Sequence, residues 1–204
     1  MSAINKLFEF ATTEFKLHSS KVRRVHLTQE MANLESQTIH CFSCPGTCCT
    51  YQANSMNVTP LEALEVLMGL NIDEMSSSEL EELVNKLKKN ISDFRLDVAT
   101  YVSRKSNSSL RKSYTCPFFS HSFKGCTISR SIKPYGCLGF NPKASEDNGK
   151  QCASNITLLT SREDYYYKEE SLTNQYLKDH LKLYWSKESI SVALLELLKK
   201  LNYI

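Results

Sequence analysis

SELEELVNKLKKNISDFRLDVATYV, residues 78–102, is the stretch that decides the fold class. Leu80, Leu83, Val84, Leu87, Ile91, Phe94, Val98 and Tyr101 recur at steps of three or four, apart from the adjacent pair Leu83-Val84. That is the period of one buried helical face, with Glu81, Glu82, Lys86, Lys88 and Lys89 on the outside. Ser78 and Glu81 have the spacing of a capping box. The pattern predicts a helix over about 79–102, the longest element of the chain.

Outward from this stretch the same period returns. Ile4, Leu7, Phe8 and Ala11, extended by Phe15, mark a helix within the first sixteen residues, and Leu27, Met31 and Leu34 a short one over about 27–36. Thr59-Pro60-Leu61-Glu62 combines a cap, a proline suited to the first helical position and a capping-box glutamate. The helix it opens should bury Leu61, Ala63, Leu64 and Leu67 and stop near Gly69. Ser103 to Ser109 is a polar connector. Leu172, Tyr176, Leu177, Leu181 and Tyr184 suggest another helix. Ser186 should cap a last one with Ile190, Leu194, Leu197, Leu198 and Leu201 inside, and Lys199 and Lys200 complementing its dipole. Strand evidence is confined to Ile156–Thr160 and Val22–Val25. Tyr165-Tyr166-Tyr167 is expected to be an amphipathic turn packed on the body.

Glycine and proline are distributed unevenly. Of six Gly only Gly69, and of five Pro only Pro60, lie outside residues 41–49 and 116–152. Those two regions should be loops, and they carry all eight cysteines. The expected architecture is therefore mainly α, a single helical domain over 1–204 with little or no strand. Two cysteine-bearing metal-binding loops should meet at one end of its helical body.

Composition narrows the function classes. The chain has 204 residues, 41% hydrophobic and 23% charged, enough for a buried core. A net charge of +3, with short basic bursts at Lys21, Arg23, Arg24 and at Arg104, Lys105, Arg111, Lys112, gives no continuous stripe for nucleic acid. The bursts read as solvated faces. No segment approaches the run of about 20 apolar residues that spans a membrane. Lys6, Glu9, Glu14 and Lys16 interrupt any secretory core at the start. The expectation is a cytoplasmic protein without a membrane partner.

In reducing cytosol eight cysteines point away from a disulfide framework and toward metal. Cys41, Cys44, Cys48 and Cys49 form C-x2-C-x3-C-C, with Pro45-Gly46 redirecting the backbone, and Cys116, Cys126, Cys137 and Cys152 follow. Thiolates are soft ligands that suit zinc or iron in an iron–sulfur cluster. Neighbours in extended backbone point to opposite sides. Cys48 and Cys49 should then serve different centres, or one a ligand position and the other a supporting one, unless the backbone is locally distorted. Eight thiolates fit two four-ligand centres, or one centre with spare redox cysteines. Lys124 and Lys133 read first as ordinary surface residues and second as offsets to cluster charge, and His40 and His121 are the histidines nearest the cysteines.

These residues resemble a known family, the YkgJ-type cysteine-cluster proteins, described as zinc- or iron-chelating domains. The resemblance covers about 41–152. It rests on Cys41, Cys44, Cys48 and Cys49, on Val58-Thr59 leading to Glu62, on Cys116-Pro117-Phe118 and Gly125-Cys126-Thr127-Ile128, and on Pro134, Cys137 and Phe140. The flanking helices, 1–36 and 160–204, lie outside it. Lys133 and Leu138 stand where the family commonly has arginine, and the segment between Cys126 and Pro134 is one residue longer than usual. The resemblance implies a metal or iron–sulfur site. Flagellin lysine methylases look like remote relatives with a similar cluster.

Three functions compete on this reading. The first is a metal-binding protein holding an iron–sulfur cluster or zinc, active in electron transfer, metal handling or structure. The second is a metal- or cluster-dependent modifying enzyme, with Glu62, Asp97 or His121 as candidate acid–base groups. It would require a concave pocket beside the cysteines. No glycine-rich strand-to-helix turn announces a nucleotide pocket. The third is a zinc-stapled scaffold that recruits a protein partner through its flanking helices.

Overall fold

The computed structural model describes residues 2–37, 47–98, 112–120, 125–142 and 152–204. Among them are eight α-helices and three two-stranded antiparallel sheets, so the fold is mainly α. No described helix is long and apolar enough to cross a membrane.

The core is organised around α4 (Pro60–Gly69), in which every residue from Pro60 to Leu67 is buried. Its start is the one the sequence predicts: Thr59 Oγ1 accepts from Glu62 N, and Glu62 Oε2 accepts from Thr59 N at 2.9 Å. A helix buried all round needs neighbours on every side. These are α8 (Ile190–Lys200) and α7 (Ile156–Leu181), while α5 (Ser77–Phe94) packs on α8 and α1 (Ala3–Phe15) on α7. Leu61, Leu64, Leu67, Leu87, Leu177, Leu194 and Leu198 fill the space between them with almost no exposure. At about 25 cal/mol per Å² of apolar surface removed from water, this leucine-rich contact is the principal stabilising term.

Four parts of the fold differ from the sequence reading. The helix at 77–94 is shorter than expected and is not the longest. Its cap is Ser76, whose hydroxyl is paired with Glu79, so the box lies two residues earlier than Ser78–Glu81. It ends because Arg95 takes a left-handed conformation (φ 49°) and Leu96 N returns to Ile91 O at 3.0 Å, with Leu96 buried against the body. Val98 and Asp97 consequently lie exposed, and Tyr101 lies outside the described residues.

The longest helix is α7, with 26 residues. It absorbs Ile156–Thr160, expected as a strand, and the Tyr165–Tyr167 run, expected as a turn. Asn155 accepts a hydrogen bond from Leu158 N at 3.1 Å and starts the helix there. Its buried stripe is Arg162, Tyr166, Thr173, Leu177 and Leu181, two of them polar, so an apolar period is invisible over its first half. Tyr165 and Tyr167 face outward. Tyr184 falls beyond the helix and is 93% exposed.

Val22–Val25 is likewise helical. It spans the junction of α2 (Ser20–Arg23) and α3 (Val25–Ser36). Before α8, Ser186 does not act as its cap. Residues Glu188–Ser189 (β6) instead pair with Asn57–Val58 (β1), and the helix begins at Ile190. The remaining sheets, Phe119–Ser120 (β2) with Gly125–Cys126 (β3) and Phe140–Pro142 (β4) with Cys152–Ser154 (β5), each carry a cysteine.

Candidate metal centre and adjoining cleft

Each described cysteine is held by a different local device. Cys48 and Cys49 occupy a 3-10 turn, Thr47–Cys49. Cys116 N donates to Cys49 O at 2.8 Å, and Tyr51 N to Thr115 Oγ1 at 3.1 Å, lacing the first cysteine segment to the second. Tyr114 fastens this junction to the body. It is fully buried, its hydroxyl donates to Met56 O at 2.5 Å, and the same oxygen accepts from Ile190 N at 3.1 Å. Cys126 is on β3 opposite Phe119, and Phe119 N in turn donates to Cys116 O at 3.1 Å. Cys137 lies in the single-turn helix α6 (Tyr135–Leu138), and Cys152 on β5 opposite Pro142.

These devices link Cys48, Cys49, Cys116, Cys126, Cys137 and Cys152 into one chain of neighbouring thiols. Cys48 hydrogen-bonds with Cys152, Cys49 lies in the field of Cys116 and Cys137, and Cys137 in that of Cys116 and Cys126. None of the six is in a disulfide. Cys41, Cys44, His40, His121 and Lys124 lie outside the described residues. Among the described residues, no three Cys, His, Asp or Glu side chains stand ready in metal-binding geometry.

The sulfurs of Cys48 and Cys49 are 4.0 Å apart. Two sulfurs on one tetrahedral zinc are separated by about 3.8 Å, given Zn–S bonds of roughly 2.3 Å. The extended-backbone argument for splitting this pair between centres therefore fails locally, because the 3-10 turn brings both side chains together.

Electrostatics separates the thiols. A hydrogen bond from Cys49, aided by Lys133 and opposed by burial, pulls Cys48 down to about 7. The same contact, with burial, pushes Cys49 up. Burial pushes Cys116 up to about 12, and burial with the neighbouring thiols raises Cys137. Like charges crowded in a poorly solvated site resist ionising together. Lys133, half-buried, favours the thiolates of Cys48, Cys116 and Cys137. A bound cation would supply the missing positive charge and hold coordinating thiols deprotonated. Six half-buried thiols on separate segments suit a soft metal in kind.

A cleft of about 760 Å³ opens beside this end, with Cys48, Cys49 and Cys137 in its wall. Ligand sites commonly span 300–1,000 Å³ (roughly). Arg162, Glu163, Tyr167, Glu170, Asn174 and Lys178, at steps of one helical face, make α7 its long side. Glu62 and Tyr135 line it as well. Asp97 borders a separate depression that contains no cysteine.

The sequence reading missed the polar structure beneath this cleft. Arg23 and Arg24, expected on a solvated face, are 1% and 0% exposed. Arg23 pairs with Glu65 and, at 2.7 Å, with Glu170; Arg24 Nη2 is 2.7 Å from Glu65 Oε2, an ion-pair contact whose angle is outside hydrogen-bond geometry. Arg162 pairs with Glu170. One signal was available. Glu65 interrupts an otherwise apolar run from Ala63 to Met68, and a carboxylate in an all-round buried helix needs buried cations.

No family model matches the chain, and neither does any curated protein or solved structure with which it was compared.

Proposed function

We propose that the protein binds zinc or an iron–sulfur cluster through thiolates of the set Cys41, Cys44, Cys48, Cys49, Cys116, Cys126, Cys137 and Cys152, as a member of the YkgJ-type cysteine-cluster family. The observation that carries this reading is the gathering of six thiols from distant segments, none of them in a disulfide. Ordinary buried cysteines acting as small hydrophobes would have no reason to converge. A cytoplasmic site follows from the chemistry, since open thiols persist where the medium is reducing.

The cleft favours a second reading, in which the centre serves a metal- or cluster-dependent modifying enzyme. Cys48, Cys49 and Cys137 share a wall with polar groups of α7, so a bound molecule would lie beside the thiols. Glu62 is tied up in its capping box and in a bond from Tyr135 N at 2.9 Å, which leaves it a structural task. The bound metal would supply charge for polarising or electron-transfer chemistry; the chain supplies the binding surface and the shielding from water.

Anaerobic purification followed by elemental analysis and visible spectroscopy tests the proposal. Zinc in at least one equivalent per chain, or iron with sulfide and a broad visible absorption that bleaches in air, is expected. Cys116→Ser together with Cys137→Ser should abolish it. A folded, fully reduced protein that takes up neither metal after reconstitution would end the reading.

A further inference from the structure

Cys137 lies in a helix of one turn, and so short a helix does not fix its own geometry. What fixes it comes from four other helices. Arg24, at the start of α3, donates from Nε to Lys133 O at 2.7 Å. Glu62 of α4 accepts from Tyr135 N at 2.9 Å. Glu170 of α7 pairs with the Tyr135 hydroxyl at 2.6 Å, and Arg23 of α2 reaches the same hydroxyl. Two guanidiniums lie over the Tyr135 ring, Arg162 at 3.3 Å and Arg24 at 4.4 Å from its centroid.

Burying this many charges is a costly way to stabilise a fold. Well-packed apolar residues of similar volume commonly do as well or better, and the attested use of such networks is to specify one arrangement. Here the arrangement specified is the turn that carries Cys137. The anchors come from helices far apart in sequence, and their placement is transmitted to one sulfur through the Tyr135 side chain and the backbone at Lys133 and Tyr135.

We infer that Tyr135 is a positioning residue for Cys137, with the buried Arg23–Arg24–Glu65–Arg162–Glu170 network as its clamp. Tyr135, Arg162 and Glu170 also line the cleft, so a molecule there meets the same side chains that set the sulfur. The purpose of holding Cys137 rests on the metal-binding reading; the holding itself is measurable without metal.

The test compares Tyr135→Phe and Tyr135→Leu with the parent as chelator-treated, reduced full-length protein. Labelling of Cys137 and of Cys116 by N-ethylmaleimide is followed in the same molecules by peptide mass spectrometry. Tyr135→Phe keeps the ring in contact with the guanidiniums and should label within about threefold of the parent at both cysteines. Tyr135→Leu removes ring and hydroxyl and should accelerate Cys137 at least tenfold, leaving Cys116 within threefold. Equal acceleration at both cysteines would mean general loosening and would overturn the assignment, as would an unchanged Cys137. Zinc titration of the same proteins separates the two proposals. A parent that binds no zinc and no iron removes the metal reading, and the labelling comparison still decides the positioning.

Discussion

Glu170 shows how one side chain can carry structure and pH dependence together. Burial opposes its charge, but Arg162, the Tyr135 hydroxyl and Arg23 outweigh that and hold it below the ordinary carboxylate range. A carboxylate depressed in the folded state contributes stability above its unfolded value, and that contribution is lost as pH falls through the folded one. The protein should therefore lose stability below about pH 4.5, the usual carboxylate region. Glu170→Gln should cost on the order of 3 kcal/mol at pH 7, because Arg162 and Arg23 lose a buried partner. The gap between the urea midpoints of parent and variant should narrow as the pH is lowered below the ordinary carboxylate range, because the parent glutamate then takes up the proton that removes its ionic contribution. A gap unchanged between neutral and acid pH would refute the ionic role. At this scale the cysteines were legible in the sequence because their spacing is a chemical signature. The arginines were not, because burial of a charge depends on partners 42 and 147 residues away.

Element boundaries follow from caps, and the chain has both strong and costly ones. Thr59 and Glu62 satisfy each other's orphan groups at the start of α4, a sequence-local arrangement that the amino acids alone disclose. The end of α5 is different. Arg95 adopts φ 49° where glycine would be unstrained, and nothing local in Phe94-Arg95-Leu96 announces the stop. Burial of Leu96 decides it, a tertiary effect. The same holds for α7, whose first half buries Arg162 against Arg23 O at 3.1 Å in place of an apolar residue. These contrasts predict opposite mutational signs. Thr59→Ala should lower stability by about 1 kcal/mol. Arg95→Gly should raise it by up to about 1 kcal/mol through relief of the left-handed cost, less the added freedom of the unfolded chain. Chemical denaturation reads both, and since the sites share no partner their effects should add. A stabilising Thr59→Ala or a destabilising Arg95→Gly would contradict the capping account.

For the whole molecule the decisive fact is where the apolar core lies relative to the cysteines. Leu61, Leu64, Leu67, Leu87, Leu194 and Leu198 belong to α4, α5 and α8, and none lies in a cysteine-bearing segment. The cysteine segments pack on that body through Tyr114, Phe118, Ile128 and Ile132, which are buried in the same cluster, and through a few specific contacts. Tyr114 reaches Met56 O and Ile190 N, Asn90 Nδ2 reaches Thr115 O at 2.7 Å, and Ile132 presses on Gly69 so closely that an added Cβ would stand 2.2 Å from its Cδ1. Stability distributed this way opens in parts, with the weakly packed segments first. Removing thiolates should therefore loosen the periphery and spare the centre. In Cys116→Ser/Cys126→Ser protein, hydrogen exchange is expected to accelerate across 112–142 by at least tenfold. Amides in α4 and α8 should keep the parent's protection, because their hydrogen bonds open only with the core. Were the protection of α4 and α8 to fall in step with 112–142, the cysteine segments would be part of the cooperative core, and a metal bound there would hold up the whole fold.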